Sequence, residues 1–325
     1  MILAIGNSGV YEVEAFKSVV AELKKRGHDA LLFKQDKCLQ GEYLIFEVVN
    51  DQVTYSIVID EKVYNIDDFS AIWYMKPHLP FELLQFEPVE YRQFIHQQFR
   101  AMRIALWSIF CSKKWIDDPW VIQIAEDKLY QLKLATRVGF VVPDTLVTSD
   151  PKRVKSFCEE HRCNVVVKLL AVNPIINHVL YTNKVTAEYL SQIESVKLSP
   201  SIFQACIPKE YELRITVVGD KIFPAKIYSQ DDEETSLDWR RKPKLNDFEV
   251  KMEQTDLPVE IEVRIRCFMK KIGLRFGCID IIVTKDGKYI FLEINPSGQW
   301  YFVQLRTGAE IASAIADLLT NEGKT

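Results

Sequence analysis

Phe276-Gly-Cys-Ile-Asp280-Ile-Ile-Val-Thr-Lys-Asp286-Gly287-Lys-Tyr-Ile-Phe-Leu-Glu293-Ile-Asn295-Pro296 reads as two strongly apolar strands joined at Asp286-Gly287, the strongest short hairpin signal. A two-residue loop pairs Lys285 with Lys288, and counting outward sets Asp280 opposite Glu293. Facing residues have Cβ atoms ~4.5–5.5 Å apart, where like charges repel. Side chains alternate along a strand, so Asn295 shares a face with Glu293 and Ile294 points the other way. Two carboxylates and an amide oxygen converging in an apolar setting are the hard donors that Mg²⁺ takes, usually beside substrate phosphates. The same residues also read as a solvent-facing acidic pair or as two carboxyls sharing one proton. The cation reading accounts for all three residues and their apolar context together.

Phosphates beside such a cation need positive charge from the chain as well. Val165-Val-Val-Lys168-Leu-Leu sets a lysine inside a strongly apolar strand, where an unpaired ammonium is costly and a nucleotide phosphate is a natural partner. Lys128, in Ala125-Glu-Asp-Lys128-Leu, sits early in a helix whose apolar face lies elsewhere, the usual setting of a solvated side chain. Glu212-Leu-Arg214-Ile-Thr216 places Glu212, Arg214 and Thr216 on one strand face, and Gly219-Asp220 turns the strand back. Arg214 is then either an ordinary cross-strand charge or a group that neutralises a transferred phosphoryl.

Outward from these segments the chain divides into three units. Residues 1–118 open as strand 2–5, the turn Gly6-Asn7-Ser8-Gly9, a helix carrying Val13, Phe16, Val19, Val20 and Leu23 that stops at Gly27, and strand 31–33. That order predicts an α/β unit, continued by a hairpin of 43–49 with 53–59 around Asn50-Asp51, a strand at 71–75 and a helix at 89–110, and closed at Asp117-Asp118-Pro119. Residues 119–200 follow with a helix over 122–138, strand 145–148, a helix opened by Ser149-Asp150-Pro151, strand 165–170 and a small helix near 186–193. Residues 201–325 are richer in strands, at 201–207, 211–218, 221–228, 276–284 and 289–294, with helices near 258–272 and 308–319. Residues 230–256 are charged with little apolar periodicity and read as a mobile surface loop. Trp73, Trp107, Trp115 and Trp120 read as core or interface aromatics, and Trp300 as either core or the lining of a substrate mouth.

Composition bounds the function. The chain has 325 residues, 48 % hydrophobic and 26 % charged, which excludes wholesale disorder and suits two or three domains. Lys+Arg 41 against Asp+Glu 45 gives a net charge of −4, which argues against a general nucleic-acid binder. No apolar run approaches the ~18 residues of a membrane span, and Met1-Ile-Leu-Ala-Ile5 lacks the basic flank and length of a signal peptide. Seven scattered cysteines point to a reduced, cytoplasmic protein. Cys158, His161 and Cys163 lie close together without a second cluster to complete a metal site. Gly323-Lys324-Thr325 ends like a P-loop, but position 318 holds Leu rather than the Gly that motif requires.

Lys128, Lys168, Phe203-Gln204-Ala-Cys-Ile207-Pro208, Glu212-Leu-Arg214, Gly277-x-x-Asp280 and Leu292-Glu293-Ile-Asn295-Pro296 occur in the order seen in ATP-grasp carboxylate–amine ligases. Asp238-Trp239-Arg240 and Asn295-Pro-Ser-Gly-Gln-Trp300 narrow the likeness, and the chain resembles the microviridin-type ligases (graspetide maturases) over about residues 120–320. The resemblance implies an ATP-grasp fold: an N-terminal α/β pre-grasp domain over 1–118, a lid over 119–200 and a C-terminal antiparallel-sheet domain over 201–325. It also implies that Lys128 and Lys168 contact ATP phosphates, that Gln204 to Ile207 hold adenine, partly through backbone, and that Glu212 takes the ribose hydroxyls. Asp280, Glu293 and Asn295 would hold Mg²⁺, and Arg214 and Arg240 would stabilise the γ-phosphate and an acyl phosphate. Two departures stand out. Ala171–His178 carries no Gly where many ATP-grasp proteins have a glycine-rich loop, and Ala205 stands where many carry an acidic residue.

The activity so implied is ester or amide ring formation between side chains of a ribosomally made precursor peptide, with the loop 230–256 ordering as the peptide binds. A homodimer is compatible with this reading. The alternatives are an ATP-grasp ligase joining an amino acid to a small molecule or protein tail, and a non-catalytic nucleotide-binding regulator.

Overall fold

The computed structural model describes residues 1–79, 88–170, 181–241 and 250–320. The N-terminal part runs β1 (Ile2–Gly6), α1 (Val10–Lys25), β2 (Ala30–Lys34), β3 (Tyr43–Val49), β4 (Gln52–Ile59), β5 (Lys62–Asn65), β6 (Ala71–Tyr74), α2 (Val89–Ile109) and β7 (Lys114–Ile116). β1, β2, β6 and β7 form an all-parallel sheet in the order β2-β1-β6-β7. Every residue of β1 is buried, as a strand covered on both faces requires. The expected hairpin closes at Asn50-Asp51, both with positive φ (50° and 59°), which is the two-residue turn whose twist matches the flanking strands. β5 adds a third strand to it.

The next part contains α3 (Pro119–Ala125), α4 (Lys128–Arg137), β8 (Thr145–Thr148), α5 (Pro151–Glu160), β9 (Val165–Leu169), β10 (Asn183–Lys184), α6 (Ala187–Ser191) and β11 (Ser201–Ala205). The single helix expected over 122–138 is two helices. Asp127 interrupts it: its carboxylate accepts from Leu129 N at 2.8 Å and Tyr130 N at 3.0 Å, so a fresh helix starts at Lys128. An antiparallel sheet in the order β10-β9-β11-β8 packs on α5 through Val154, Phe157, Cys158, Val165 and Phe203. Cys158 is thus a core residue, and Cys163 is exposed.

The C-terminal part comprises β12 (Tyr211–Val218), β13 (Lys221–Ile227), β14 (Met252–Gln254), α7 (Val259–Ile272), β15 (Phe276–Val283), β16 (Tyr289–Asn295), α8 (Tyr301–Thr307) and α9 (Ile311–Thr320). The five strands make an antiparallel sheet ordered β14-β13-β12-β15-β16. One face, with Leu213, Ile215, Ile279, Ile281, Phe291 and Ile294, is buried with Ile261, Ile265 and Phe268 of α7 and Leu134 of α4. β14 was not expected. It lies in the charged stretch, but Val250 and Met252 are buried in the same cluster as Phe302 of α8. α8 was also not expected, because Gly308 at φ 73° separates it from α9. Trp73, Trp107 and Trp115 are core residues at 3 %, 6 % and 4 % exposure, whereas Trp120 is 46 % exposed. Trp300 belongs to the core, at 4 %. The segments 171–178 and 242–249 of the two expected loops lie outside the described residues.

Asp117 joins the first part to the last. Its buried Oδ2 accepts from Phe276 N at 2.7 Å and from Arg275 N at 2.9 Å, at the start of β15. Asp117→Ala leaves these two amides without their acceptor. We expect a loss of roughly 1–3 kcal/mol for each amide that stays dry, read as a lowered midpoint in urea unfolding.

Candidate functional site

The site lies on the other face of the C-terminal sheet, where Arg214 of β12, Asp280 of β15 and Glu293 of β16 stand in one cross-strand row. Asp280 and Glu293 are paired as expected, but by a different route. The hairpin has a three-residue loop: Thr284 N donates to Lys288 O at 3.0 Å, Gly287 N donates to Thr284 O at 2.9 Å, and Gly287 has φ 75°. Val283 therefore faces Tyr289, and Ile281 faces Phe291. An irregularity then shifts the register between Ile281 and Asp280, leaving Leu292 as the extra residue, so that Asp280 meets Glu293. Strict alternation would put Glu293 on the same face as Phe291, which is fully buried in the core. The bulge turns Glu293 to the opposite face, a known use of such a kink beside functional sites.

Each acidic side chain of this face has a cation from the chain. Arg214 Nη1 donates to Asp280 Oδ1 at 3.0 Å and Oδ2 at 2.9 Å, and its Nη2 donates to Gln299 O at 3.0 Å. Asn295 Nδ2 donates to Asp280 Oδ2 at 3.1 Å. Lys128 Nζ lies 3.0 Å from Glu293 Oε2. Toward the end of β12, Lys209 Nζ donates to Glu212 Oε1 at 2.7 Å and to Leu237 O at 3.1 Å. Arg240 grips Asp238 through Nε (2.8 Å) and Nη2 (2.6 Å). Lys168 differs: among the described residues it has no ion pair within bonding distance, and burial lowers its affinity for a proton while Glu293 raises it.

Burial opposes the charge of Glu293, but Lys128 and Lys168 outweigh it and hold the carboxyl below its ordinary range. Asp280 is pushed up by burial, against the pull of Arg214 and with the help of Glu293 opposite. Burial also opposes the charge of Asp238. Arg240 and the backbone N–H of Thr182 outweigh it, and the carboxyl is held down at about 2.

The structure thus brings Lys128, Lys168, Arg214, Arg240, Asp280, Glu293 and Asn295 together, with Glu212 further along the same face. The side chain of Gln204 turns into the β8–β11 sheet, where Nε2 donates to Thr145 Oγ1 at 3.0 Å, and Ile207 is half-buried in the segment that leads to β12. The described part of 230–241 is not a free surface loop. Asp238 is 5 % exposed and Thr235 is 1 %, and Arg241 Nη2 donates to Thr182 O at 2.6 Å and to Asn183 Oδ1 at 2.8 Å. This segment is held by paired charges rather than by an apolar stripe, so periodicity gave no sign of it. Sequence reading missed Lys209, whose partner Glu212 lies across a turn. It also missed Gly298, where a Cβ would come within 2.7 Å of Cys278 Cβ, 2.8 Å of Arg214 Nη2 and 3.0 Å of Asn295 Cβ.

Among the described residues no three His, Cys, Asp or Glu side chains converge on one point. The donor set of Asp280, Glu293 and Asn295 is two carboxylates and a carboxamide. Such oxygen donors, brought together by Asn295's contact with Asp280, suit a hard divalent cation once Arg214 and Lys128 yield their places.

Residues 125–319 match the model of the RimK-like ATP-grasp domain, well over half of the chain. The chain belongs to the RimK-like ATP-grasp family. Across 99 % of its length it is also similar to the crystal structure of macrocyclase MdnC bound with precursor peptide MdnA from Microcystis aeruginosa MRC, at 30 % identity and TM-score 0.86 over 100 % of that chain. A RiPP-associated ATP-grasp ligase of Chryseobacterium gregarium, in complex with ADP and a leader and core peptide, matches over 99 % of this chain and 97 % of its own, at 27 % identity and TM-score 0.85. A curated relative from Pseudoalteromonas translucida, named a probable alpha-L-glutamate ligase, is 26 % identical over 209 residues, 63 % of this chain and 66 % of its own length. The matched members are ligases, and the fold is the mixed α/β ATP-grasp fold that the sequence motifs implied.

Gly298→Ala pushes against buried Cys278 and displaces Arg214 and Asn295, on the face opposite Ile279 and Phe291. It is expected to leave the protein folded by circular dichroism and to lower ATP turnover by ~10²-fold, the cost of misplacing reacting groups by about 1 Å.

Proposed function

We propose that the protein is an ATP-dependent peptide macrocyclase that forms ester or amide links between side chains of a ribosomally made precursor. The observation that carries this is the row Arg214–Asp280–Glu293 with Asn295, faced by Lys168 and Arg240, in a chain alike over its full length to a macrocyclase bound with its precursor peptide. In this reading Lys128 and Lys168 bind the nucleotide phosphates, the segment Gln204 to Ile207 holds adenine, and Glu212 receives the ribose hydroxyls. Asp280, Glu293 and Asn295 hold Mg²⁺, which when bound neutralises charge on the terminal phosphates. Arg214, freed from Asp280, and Arg240 face the transferred phosphoryl group.

The chemistry balances without a covalent group on the protein. A carboxylate oxygen of a peptide Asp or Glu bonds to the γ-phosphorus as the bond to the ADP oxygen breaks, giving an acyl phosphate. A Thr or Ser hydroxyl, or a Lys amine, then bonds to the acyl carbon, inorganic phosphate leaves with its oxygen, and the nucleophile's proton passes to solvent. Excluding water matters because the acyl phosphate hydrolyses readily. The charged segment around Asp238–Arg241, already bound to β10, is suited to close over the peptide.

The division at 118 and 200 into pre-grasp, lid and C-terminal domains belongs to the same proposal, as does a reduced, cytoplasmic setting. All seven cysteines are free, and among the described residues no helix is long and apolar enough to cross a membrane. A second copy of the chain is proposed to cover one face of the β3–β5 sheet, where Phe46, Val48 and the facing Val53 are 52 %, 58 % and 48 % exposed. The likeness to a probable alpha-L-glutamate ligase favours a second reading, ligation of an amino acid to another acceptor.

Co-expression with a Thr- and Glu-rich peptide encoded beside the gene, followed by mass spectrometry, tests the proposal. The expected result is loss of one water per ring, dependent on ATP and Mg²⁺ and abolished by Asp280→Asn. Unchanged peptide mass, with free glutamate stimulating ATP consumption, refutes it in favour of the amino-acid ligase.

A further inference from the structure

We propose that Gln131 is a positioning residue that clamps the backbone between Glu293 and Asn295 and so sets the spacing of the cation ligands. β16 is an edge strand, so one side of its backbone has no strand partner. Near the hairpin end, Val141 O accepts from Phe291 N at 2.9 Å. At Ile294 the partner is a side chain. Gln131 Oε1 accepts from Ile294 N at 3.0 Å, and Gln131 Nε2 donates to Ile294 O at 2.9 Å and to Ala125 O at 2.7 Å. The amide therefore copies the two-bond pattern of a neighbouring strand and also satisfies the last carbonyl of α3.

Three features make this more than an ordinary buried hydrogen bond. Gln131 is 3 % exposed and Ile294 is 2 %, so water does not replace the bonds. One N–H and two carbonyls meet the amide, which only a glutamine in a single orientation satisfies; Glu lacks the donors and Leu lacks both kinds of group. The contact also falls two residues from the bulge at Leu292, the point where the β15–β16 ladder is irregular and Glu293 has just been turned to the site face.

Gln131 shares α4 with Lys128, one turn earlier, whose ammonium holds the carboxylate of Glu293. One helix thus grips both the side chain of one ligand and the peptide unit that carries the next. This inference rests on the assignment of Glu293 and Asn295 as cation ligands, and the test separates the two.

Two measurements are made on Gln131→Leu: hydrogen exchange of the Ile294 amide in metal-free, nucleotide-free protein, and the Mg²⁺ concentration for half-maximal ATP turnover. The clamp predicts about tenfold faster exchange confined to β16. It also predicts about a tenfold rise in the Mg²⁺ requirement, with turnover at saturating Mg²⁺ little changed. Val154→Ala, a cavity in the separate core beneath the β8–β11 sheet, lowers stability and leaves both readouts at the wild-type value. If Gln131→Leu does not fold, Gln131→Met, of similar length with no donor and only a weak acceptor, carries the same expectations. Unchanged exchange at Ile294 overturns the proposal, and so does faster exchange with a wild-type Mg²⁺ requirement. Glu293→Gln is run alongside; if it leaves the Mg²⁺ requirement unchanged, the ligand assignment fails and the clamp, read by exchange, stands apart from it.

Discussion

The contact on which the site depends is the two-point grip of Arg214 on Asp280, at 3.0 and 2.9 Å, across neighbouring strands. Arg214 is 7 % exposed, and a buried charge of this kind is tolerated only when its partner is in place; removing one member typically costs about 3–5 kcal/mol. The surrounding charges follow the same rule. Lys128 holds Glu293, Lys209 holds Glu212, and Arg240 holds Asp238. Two of the groups proposed for phosphate, Arg214 and Lys128, are therefore paired with two proposed for the cation, Asp280 and Glu293. In the proposed function, nucleotide and cation would enter by exchange with these partners, and Lys168, without an ion pair among the described residues, would meet a phosphate.

The scaffold presents these charges through geometry that a regular sheet would not supply. Alternation alone would send Glu293 into the core with Phe291, and the irregularity at Leu292 reverses it. The turn after Asn295 passes close over Arg214 only because residue 298 has no side chain. Asp117 ties the start of β15 to the parallel sheet, and α4 steadies β16 from its open edge. Short segments, residues 138–144 and 206–210, join α4 and the C-terminal sheet to the β8–β11 sheet.

Much of this was legible from residue patterns. The apolar strands, the Asn50-Asp51 turn and the facing of Asp280 and Glu293 all follow from alternation and turn chemistry. That last pairing was reached by counting from a two-residue loop, whereas the chain uses a three-residue loop and regains the register at Leu292; the two offsets cancel. What escaped was set by particular side-chain contacts rather than by periodicity. Asp127 splits a helix that reads as continuous by periodicity alone. β14 rests on Val250 and Met252, buried apolar residues within a charged run; Lys209 reaches Leu237 O as well as nearby Glu212, and Gln131 acts on Ile294, which only the fold brings near. Lys128 and Gln131 are three apart on a helix, a spacing that puts them on one face, but nothing local shows that this face meets β16.

The exchange of partners at Arg214 is tested most directly by Mn²⁺ binding to the nucleotide-free protein, followed by electron paramagnetic resonance. With Asp280 held by Arg214, the wild-type protein should leave millimolar Mn²⁺ largely free. Arg214→Met removes the arginine from both oxygens of Asp280, leaving only Asn295 on Oδ2, and should bind Mn²⁺ measurably more tightly, with Asp280→Asn in the same background abolishing the gain. Mn²⁺ binding that is already tight in the wild type, or no tighter in Arg214→Met, would contradict the account.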